Sequence, residues 1–138
     1  MAGTETWHRR DAHLSARHRT WGHDLPAVDI DFLLVEYFNR EPYAIIDYRH
    51  ENGRINLKSA NSVVLRRLGD RAILPAWIVV YSYPMDETGL WAEPIDGPWK
   101  FRPVPLNDLA RKYPSGQMIE SDYVGWLEEV RRGKDSTR

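Results

Sequence analysis

Val28-Asp29-Ile30-Asp31-Phe32-Leu33-Leu34-Val35-Glu36-Tyr37, followed by Phe38-Asn39-Arg40-Glu41-Pro42 and Tyr43-Ala44-Ile45-Ile46-Asp47-Tyr48-Arg49, is the stretch on which the fold turns. Residues 28–37 are β-branched, aromatic and almost continuously apolar, the composition of a strand. Asn39 to Pro42 supply a turn, and residues 43–49 read as the returning strand of an antiparallel hairpin. With the turn centred between Asn39 and Arg40, paired positions sum to about 79, which sets Asp31 nearly opposite Asp47. Alternation puts Asp29 and Asp31 on one face of the first strand, and Asp47 and Arg49 on one face of the second. Two carboxylates facing each other among Ile30, Phe32, Ile45 and Ile46 repel, and burial adds a desolvation cost. A divalent cation or the guanidinium of Arg49 relieves it.

Outward from the hairpin, Asn52-Gly53 is a break. Asn56 then caps a helix whose Leu57, Ala60, Val64 and Leu68 recur at helical spacing, and Gly69 ends it. Residues 74–81 are short, apolar and β-branched, as in a central strand covered on both faces, with Pro75 at its start. Residues 86–96 form an acidic, Pro- and Gly-punctuated loop. Residues 99–102 alternate as a half-buried strand, Asn107 or Asp108 starts a short helix through Lys112, and Ser121 caps a last helix carrying Tyr123, Val124, Leu127 and Val130. Upstream, Thr6 caps a helix over 7–19 that Trp21 to Pro26 break. The expectation is an α/β (α+β) domain, a central mixed sheet flanked by helices.

The chain has 138 residues, 42% hydrophobic content and no cysteine. One domain over 1–138 is expected, with polar ends at 1–6 and 133–138 that fray. Thiolate zinc sites, disulfides and cysteine nucleophiles are excluded. Without a leader-like start or a long apolar run, a cytoplasmic protein with no membrane partner is expected. The net charge of -1 is not that of a protein coating nucleic acid, but Arg9, Arg10, Arg17 and Arg19 gather against Asp11 alone.

Hard oxygen ligands such as Asp31 and Asp47, with Asp29 as a rival to Asp31, suit Mg²⁺ or Mn²⁺. Arg49 is able to contact a phosphate through its fork. His8, His13, His18 and His23 recur every five residues, but each step turns ~140° round a helix, so they do not converge. Trp21 is the best candidate among the aromatics for stacking on a base. The plainer alternative for Asp31, Asp47 and Arg49 is a structural ion-pair cluster.

Trp21-Gly22, Pro26-Ala27-Val28-Asp29-Ile30-Asp31-Phe32, Ala44-Ile45-Ile46-Asp47-Tyr48-Arg49-His50, Leu74-Pro75 with Val79-Val80-Tyr81, and Val104-Pro105-Leu106-Asn107 together resemble the PD-(D/E)XK nuclease superfamily, in particular its small phage- and actinobacterium-type members. The resemblance implies a restriction-endonuclease-like core of helix, three mixed strands, helix and strand. It also implies Mg²⁺-dependent cleavage of nucleic acid, DNA more than RNA, and a possible homodimer. On it, Asp31 takes the place of the first acid, Asp47 that of the second, and Arg49 that of the usual lysine. Lys58 is then the candidate to supply the missing amine, an acid on the first helix (Glu5 or Asp11) completes the metal site, and Arg17, Arg19 and Trp21 are candidates to hold substrate. An arginine stays protonated and is no general base, so a nuclease-derived binding or regulatory domain without turnover is the alternative.

Overall fold

The computed structural model describes residues 12–21, 28, 30–84 and 98–136. A hairpin is present where the sequence predicts one. Strand β1 (Phe32–Glu36) pairs antiparallel with β2 (Glu41–His50), the turn between them holding Arg40 in the left-handed region at φ 57°. The register runs Phe32 to Ile46, Leu33 to Ile45 and Leu34 to Ala44, then shifts at Leu34/Val35 so that Tyr43 is an extra residue on β2. β1 is shorter than the predicted 28–37. Helix α1 (Ala12–Arg19) covers the described part of the predicted first helix, and its expected cap Thr6 lies outside the described residues.

After β2 the chain crosses over through α2 (Ala60–Ala72) to β3 (Ala76–Ser82), which lies parallel to β2, and returns antiparallel as β4 (Lys100–Pro105). The sheet order is β1-β2-β3-β4-β5, with β5 only Met118–Ile119. β5 leads directly into α3 (Glu120–Ser136), so Ser121 lies inside the first turn rather than at the predicted cap. The result is a five-stranded mixed sheet with α2 and α3 packed against it. Two strands, rather than three, precede the crossover helix among the described residues.

β3 is the predicted central strand, with Ala76 to Val80 all buried. On one face of the sheet, Ala44, Ile46, Trp77 and Val79 meet Tyr123, Trp126 and Val130 of α3. Trp77 and Trp126 pack edge to face at 4.7 Å, and the Trp126 indole N–H donates to the Pro114 carbonyl at 2.8 Å. Val124, predicted for the apolar stripe, faces solvent because Trp126 occupies the buried turn.

The other face carries Ile45, Leu74, Ala76, Ile78 and Leu106 against Leu65 of α2. Here the predicted helix differs in three ways. Its N-cap is Ser59, whose hydroxyl accepts from the Ser62 amide at 3.2 Å, while Asn56 makes a tighter turn just upstream by accepting from the Lys58 amide at 2.9 Å. Its buried face is Ser62, Leu65 and Gly69, leaving Leu57, Val64 and Leu68 at 48%, 44% and 38% exposure. Gly69 does not end it; Ile73 does, in a left-handed conformation at φ 58°. The reason is close approach: a Cβ on Gly69 would stand 2.9 Å from the Leu74 carbonyl, 2.8 Å from Asn107 Nδ2 and 3.2 Å from the Ala76 Cβ. The packed side of α2 is therefore Leu65 flanked by two small residues, Ser62 and Gly69, and not the stripe richest in apolar residues.

Asn107 is the predicted start of a short helical turn, and the 3-10 turn Ala110–Lys112 follows it. Its buried side chain does more than cap. Oδ1 accepts from the amides of Ala110 (3.1 Å) and Ala76 (3.2 Å), and Nδ2 donates to the Leu74 carbonyl (2.8 Å). Removing it strands three buried backbone groups, so Asn107→Ala should cost about 2–4 kcal/mol in urea unfolding. Gly69→Ala should also lower stability, although helix propensity alone favours alanine by about 1 kcal/mol. A Gly69→Ala protein that unfolds at higher urea than wild type would show that this contact does not position α2.

Candidate functional site

The residue before Phe32 and the residue after Ile46 are Asp31 and Asp47, so the observed register brings the two acids across from one another, as the sequence predicts. Phe32 and Leu34 lie on the α3 side with Ile46 and Ala44, which puts Asp31 on the α2 side with Ile45 and Asp47. Asp31 sits at a bend where β1 begins. One of its oxygens accepts the Tyr48 amide at 3.0 Å, taking up the N–H of β2 that lies beyond the end of β1.

Asp47 is 7% exposed and Asp31 is exposed, so the pair has a covered and a wet member. Arg49, two residues further along the same face, donates from Nε to Asp47 Oδ2 at 3.1 Å. The contact is single, leaving the Nη atoms of a partly exposed guanidinium outside it. Burial, then the hydrogen bond and the negative charge of Asp31, push the Asp47 carboxyl up to about 6 against the opposing pull of Arg49. Below that value Asp47 keeps its proton and shares it with Asp31. Above it, two anions are held together with one guanidinium for relief.

Beside Arg49 is a cavity of about 380 Å³ walled by Arg54, Asn56, Ser59, Asn61 and Ile78, among others. It opens between the C-terminal part of β2 and the first turn of α2, the end of a parallel pair where α/β sheets leave room for ligands. Arg49 and Arg54 make it cationic, and the first amides of α2 add their partial positive charge. Arg54, Ser59 and Asn61 were not among the predicted site residues. The signal that marks them is the Asn52-Gly53 break followed by a serine cap, the form of a loop feeding a helix N-terminus.

The structure brings Asp31, Asp47 and Arg49 together. Lys58 lies in the turn ahead of α2 rather than a turn into it, with its side chain exposed and outside the walls of this cavity. Arg17 and Trp21 are exposed, Trp21 with its ring 5.1 Å from that of His18. Asp29, Glu5 and Asp11 lie outside the described residues, as does the side chain of Arg19. Among the described residues no group of three or more His, Cys, Asp or Glu side chains forms a metal cluster. The two-carboxylate donor set nonetheless fits Mg²⁺ or Mn²⁺, which accept one or two protein carboxylates and retain waters: a cation placed where the shared proton sits would neutralise both. His50, one residue on from Arg49, points to the opposite face. It packs edge-on against Tyr81 and Tyr83, accepts the Asn52 amide on Nδ1, and has no hydrogen-bond partner for Nε2 among the described residues.

A carboxyl whose folded pKa exceeds its unfolded one binds a proton in the native state that the unfolded chain has already lost. The contribution of Asp47 to stability is therefore greatest below the usual aspartate range and is lost as pH rises through about 4 to 6. Because solvent reaches the Asp31 side, the loss should be roughly 1–3 kcal/mol. Asp47→Asn should remove this decline and stabilise the protein at pH 7.5. Urea unfolding of both proteins from pH 4 to 8 checks it; parallel curves for the two would place the proton elsewhere.

Comparison with family models, with curated proteins and with solved structures found no match for this chain.

Proposed function

We propose that this protein hydrolyses phosphodiester bonds of nucleic acid, DNA more than RNA, with Mg²⁺ or Mn²⁺ held by Asp31 and Asp47. The observation that carries the reading is the pairing of these acids across β1 and β2, on the face that also bears Arg49 and the cationic cavity. Held there, the ion would polarise a phosphoryl oxygen and lower the pKa of a bound water. The rest falls to the chain. Asp47 is aimed by its Nε contact with Arg49, and Asp31 by the Tyr48 amide. Arg49 has Nη atoms left for a phosphate oxygen, and Arg54 stands on the cavity wall as a second cation. Arg49 stays protonated, so it orients and neutralises but does not take a proton from water. Slow turnover follows from that division of work.

A second reading, a nucleic-acid-binding domain without turnover, is favoured by one specific contact. The 3.1 Å ion pair between Arg49 and Asp47 already neutralises one of the two acids.

Mn²⁺ should raise the melting temperature of the wild-type protein, by an amount equivalent to about 2.7 kcal/mol at a hundred times Kd. Asp31→Asn and Asp47→Asn should each abolish the rise. On labelled single- and double-stranded DNA and RNA, wild-type cleavage should be weak and chelator-sensitive, lost in Asp31→Asn and increased in Arg49→Lys. Metal and nucleic-acid binding without cleavage in either wild type or Arg49→Lys selects the second reading. No metal-induced shift and no cleavage leaves Asp31, Asp47 and Arg49 as an ion-pair cluster only.

A further inference from the structure

We infer that a single strand of nucleic acid lies across the α2 face of the sheet, its phosphates running from Arg54 and Arg49 over β3 to Arg102 and Lys100 on β4. The inference rests on the nucleic-acid reading above and gives that substrate a path and a strandedness. Register places the cations. Arg49 is paired with Val80 and Val80 with Arg102, so the three side chains rise from one face in a row across β2, β3 and β4. The row before it is Asp47, Ile78 and Val104, which makes this the face of α2 and of the acids. The row after it sets Lys100 beside Ser82. At about 4.8 Å between strands and about 3.3 Å per residue, Arg102 stands about 10 Å from Arg49, and Lys100 about 7 Å beyond Arg102.

These cations are not used within the fold. Arg54, Arg102 and Lys100 are exposed and make no ion pair among the described residues, whereas Arg111 and Arg131 are held by Asp108 and Glu36. Glu51, which opens the turn after β2, is paired with none of them. A merely solvated face mixes both signs. Here the two rows from Arg49 to Lys100 hold only cations, Val80 and Ser82 on these three strands. The strip is narrow. On one side Ile78 is 3% exposed and packed with Leu65 of α2, and on the other β3 ends at Ser82 and β4 begins at Lys100. A strip of this width follows one backbone, while a duplex presents two, separated by a groove of about 6 or 12 Å. Ile119, paired with Lys100 on β5 and 51% exposed, adds an apolar contact on the same face that an unstacked base can use. At its other end the strip enters the cavity of Arg49 and Arg54, which delivers a phosphate to the side of Asp47.

Anisotropy of a labelled mixed-sequence strand of about 12 nucleotides, titrated with the full chain in chelator, measures binding apart from turnover. The strand should bind on the order of tenfold tighter than its duplex. Each phosphate contact on a single strand adds about 0.7 to the steepness of log K against log salt, so Arg102→Gln with Lys100→Gln should reduce it by about 1.4 and loosen binding on the order of tenfold at about 0.1 M salt. Arg102→Lys, which keeps the charge, should keep the slope. So should Lys112→Gln, which removes a cation at the opposite end of the sheet, beside Pro42 and Pro75. If the double variant fails to fold, Lys100→Gln alone decides, with a reduction of about 0.7. A slope that the variants leave unmoved, a duplex bound as tightly as the strand, or polyglutamate competing as well at matched charge would overturn the inference. Binding with these dependences but without cleavage removes the hydrolysis and leaves the path standing; cleavage with binding indifferent to Arg102 and Lys100 does the reverse.

Discussion

Everything at the acid pair depends on β2 holding its register between two neighbours. A slip of one residue would turn Asp47 and Arg49 to the α3 face and bring Tyr48 and His50 to the face of α2. On one side the hairpin to β1 sets the register. On the other it is set by the parallel pairing of Ile45 with Ala76, which closes only after a thirteen-residue helix has crossed over. That second constraint is anchored at one small place. Asn107 holds the Leu74 carbonyl and the Ala76 amide at the start of β3, Gly69 lets α2 come down onto the same spot, and Ile73 takes the left-handed turn between them. A β-branched residue at positive φ is strained, by about 1–3 kcal/mol, and persists where the surroundings over-determine it. The three contacts of Asn107 and the packing of Gly69 are those surroundings.

With β2 so held, the acids meet whether or not their meeting is favourable. Burying Asp47 beside Asp31 works against stability, and the single Arg49 contact offsets only part of it, since the carboxyl is still displaced upward. The guanidinium meets Asp47 through Nε alone and stays partly exposed beside a cationic cavity. Two carboxylates therefore share one partly exposed guanidinium, which leaves the pair short of positive charge when both are ionised.

The hairpin and the facing of the two acids were legible in the sequence because they rest on period-two alternation and a local turn, and the central strand because its short β-branched run is apolar on both faces. The face of α2 was not. Helical periodicity finds the stripe with the most methyl groups, Leu57-Ala60-Val64-Leu68, whereas the packed side is chosen by what fits under the Leu74 carbonyl, and that atom is set by the tertiary fold. For the same reason Gly69 read as a terminator. β5 escaped because two residues carry no period, and they pair with Lys100 and Phe101 only once β4 is in place. Arg54 was missed because a loop cation gains meaning from the cavity it walls. Asp47 and Arg49 were found since both sit on one regular strand.

The two ends of the sheet are unlike, and the difference bears on Asp31. At the far edge β5 is two residues long and runs straight into α3, so it offers almost no backbone to another strand. At the near edge β1 has only five residues with which to pair with β2 and face outward. Its inward groups go to Ala44 and Ile46, and its lone charge goes to Arg131, across 95 residues of chain. Asp31 is fastened from the other strand by the Tyr48 amide, not by β1 itself. The acid is therefore positioned by β2 at both members of the pair, and β1 is left free to vary its outer edge without disturbing them. The short strand carries apolar side chains on both faces, Phe32 on the α3 side and Leu33 and Val35 on the other.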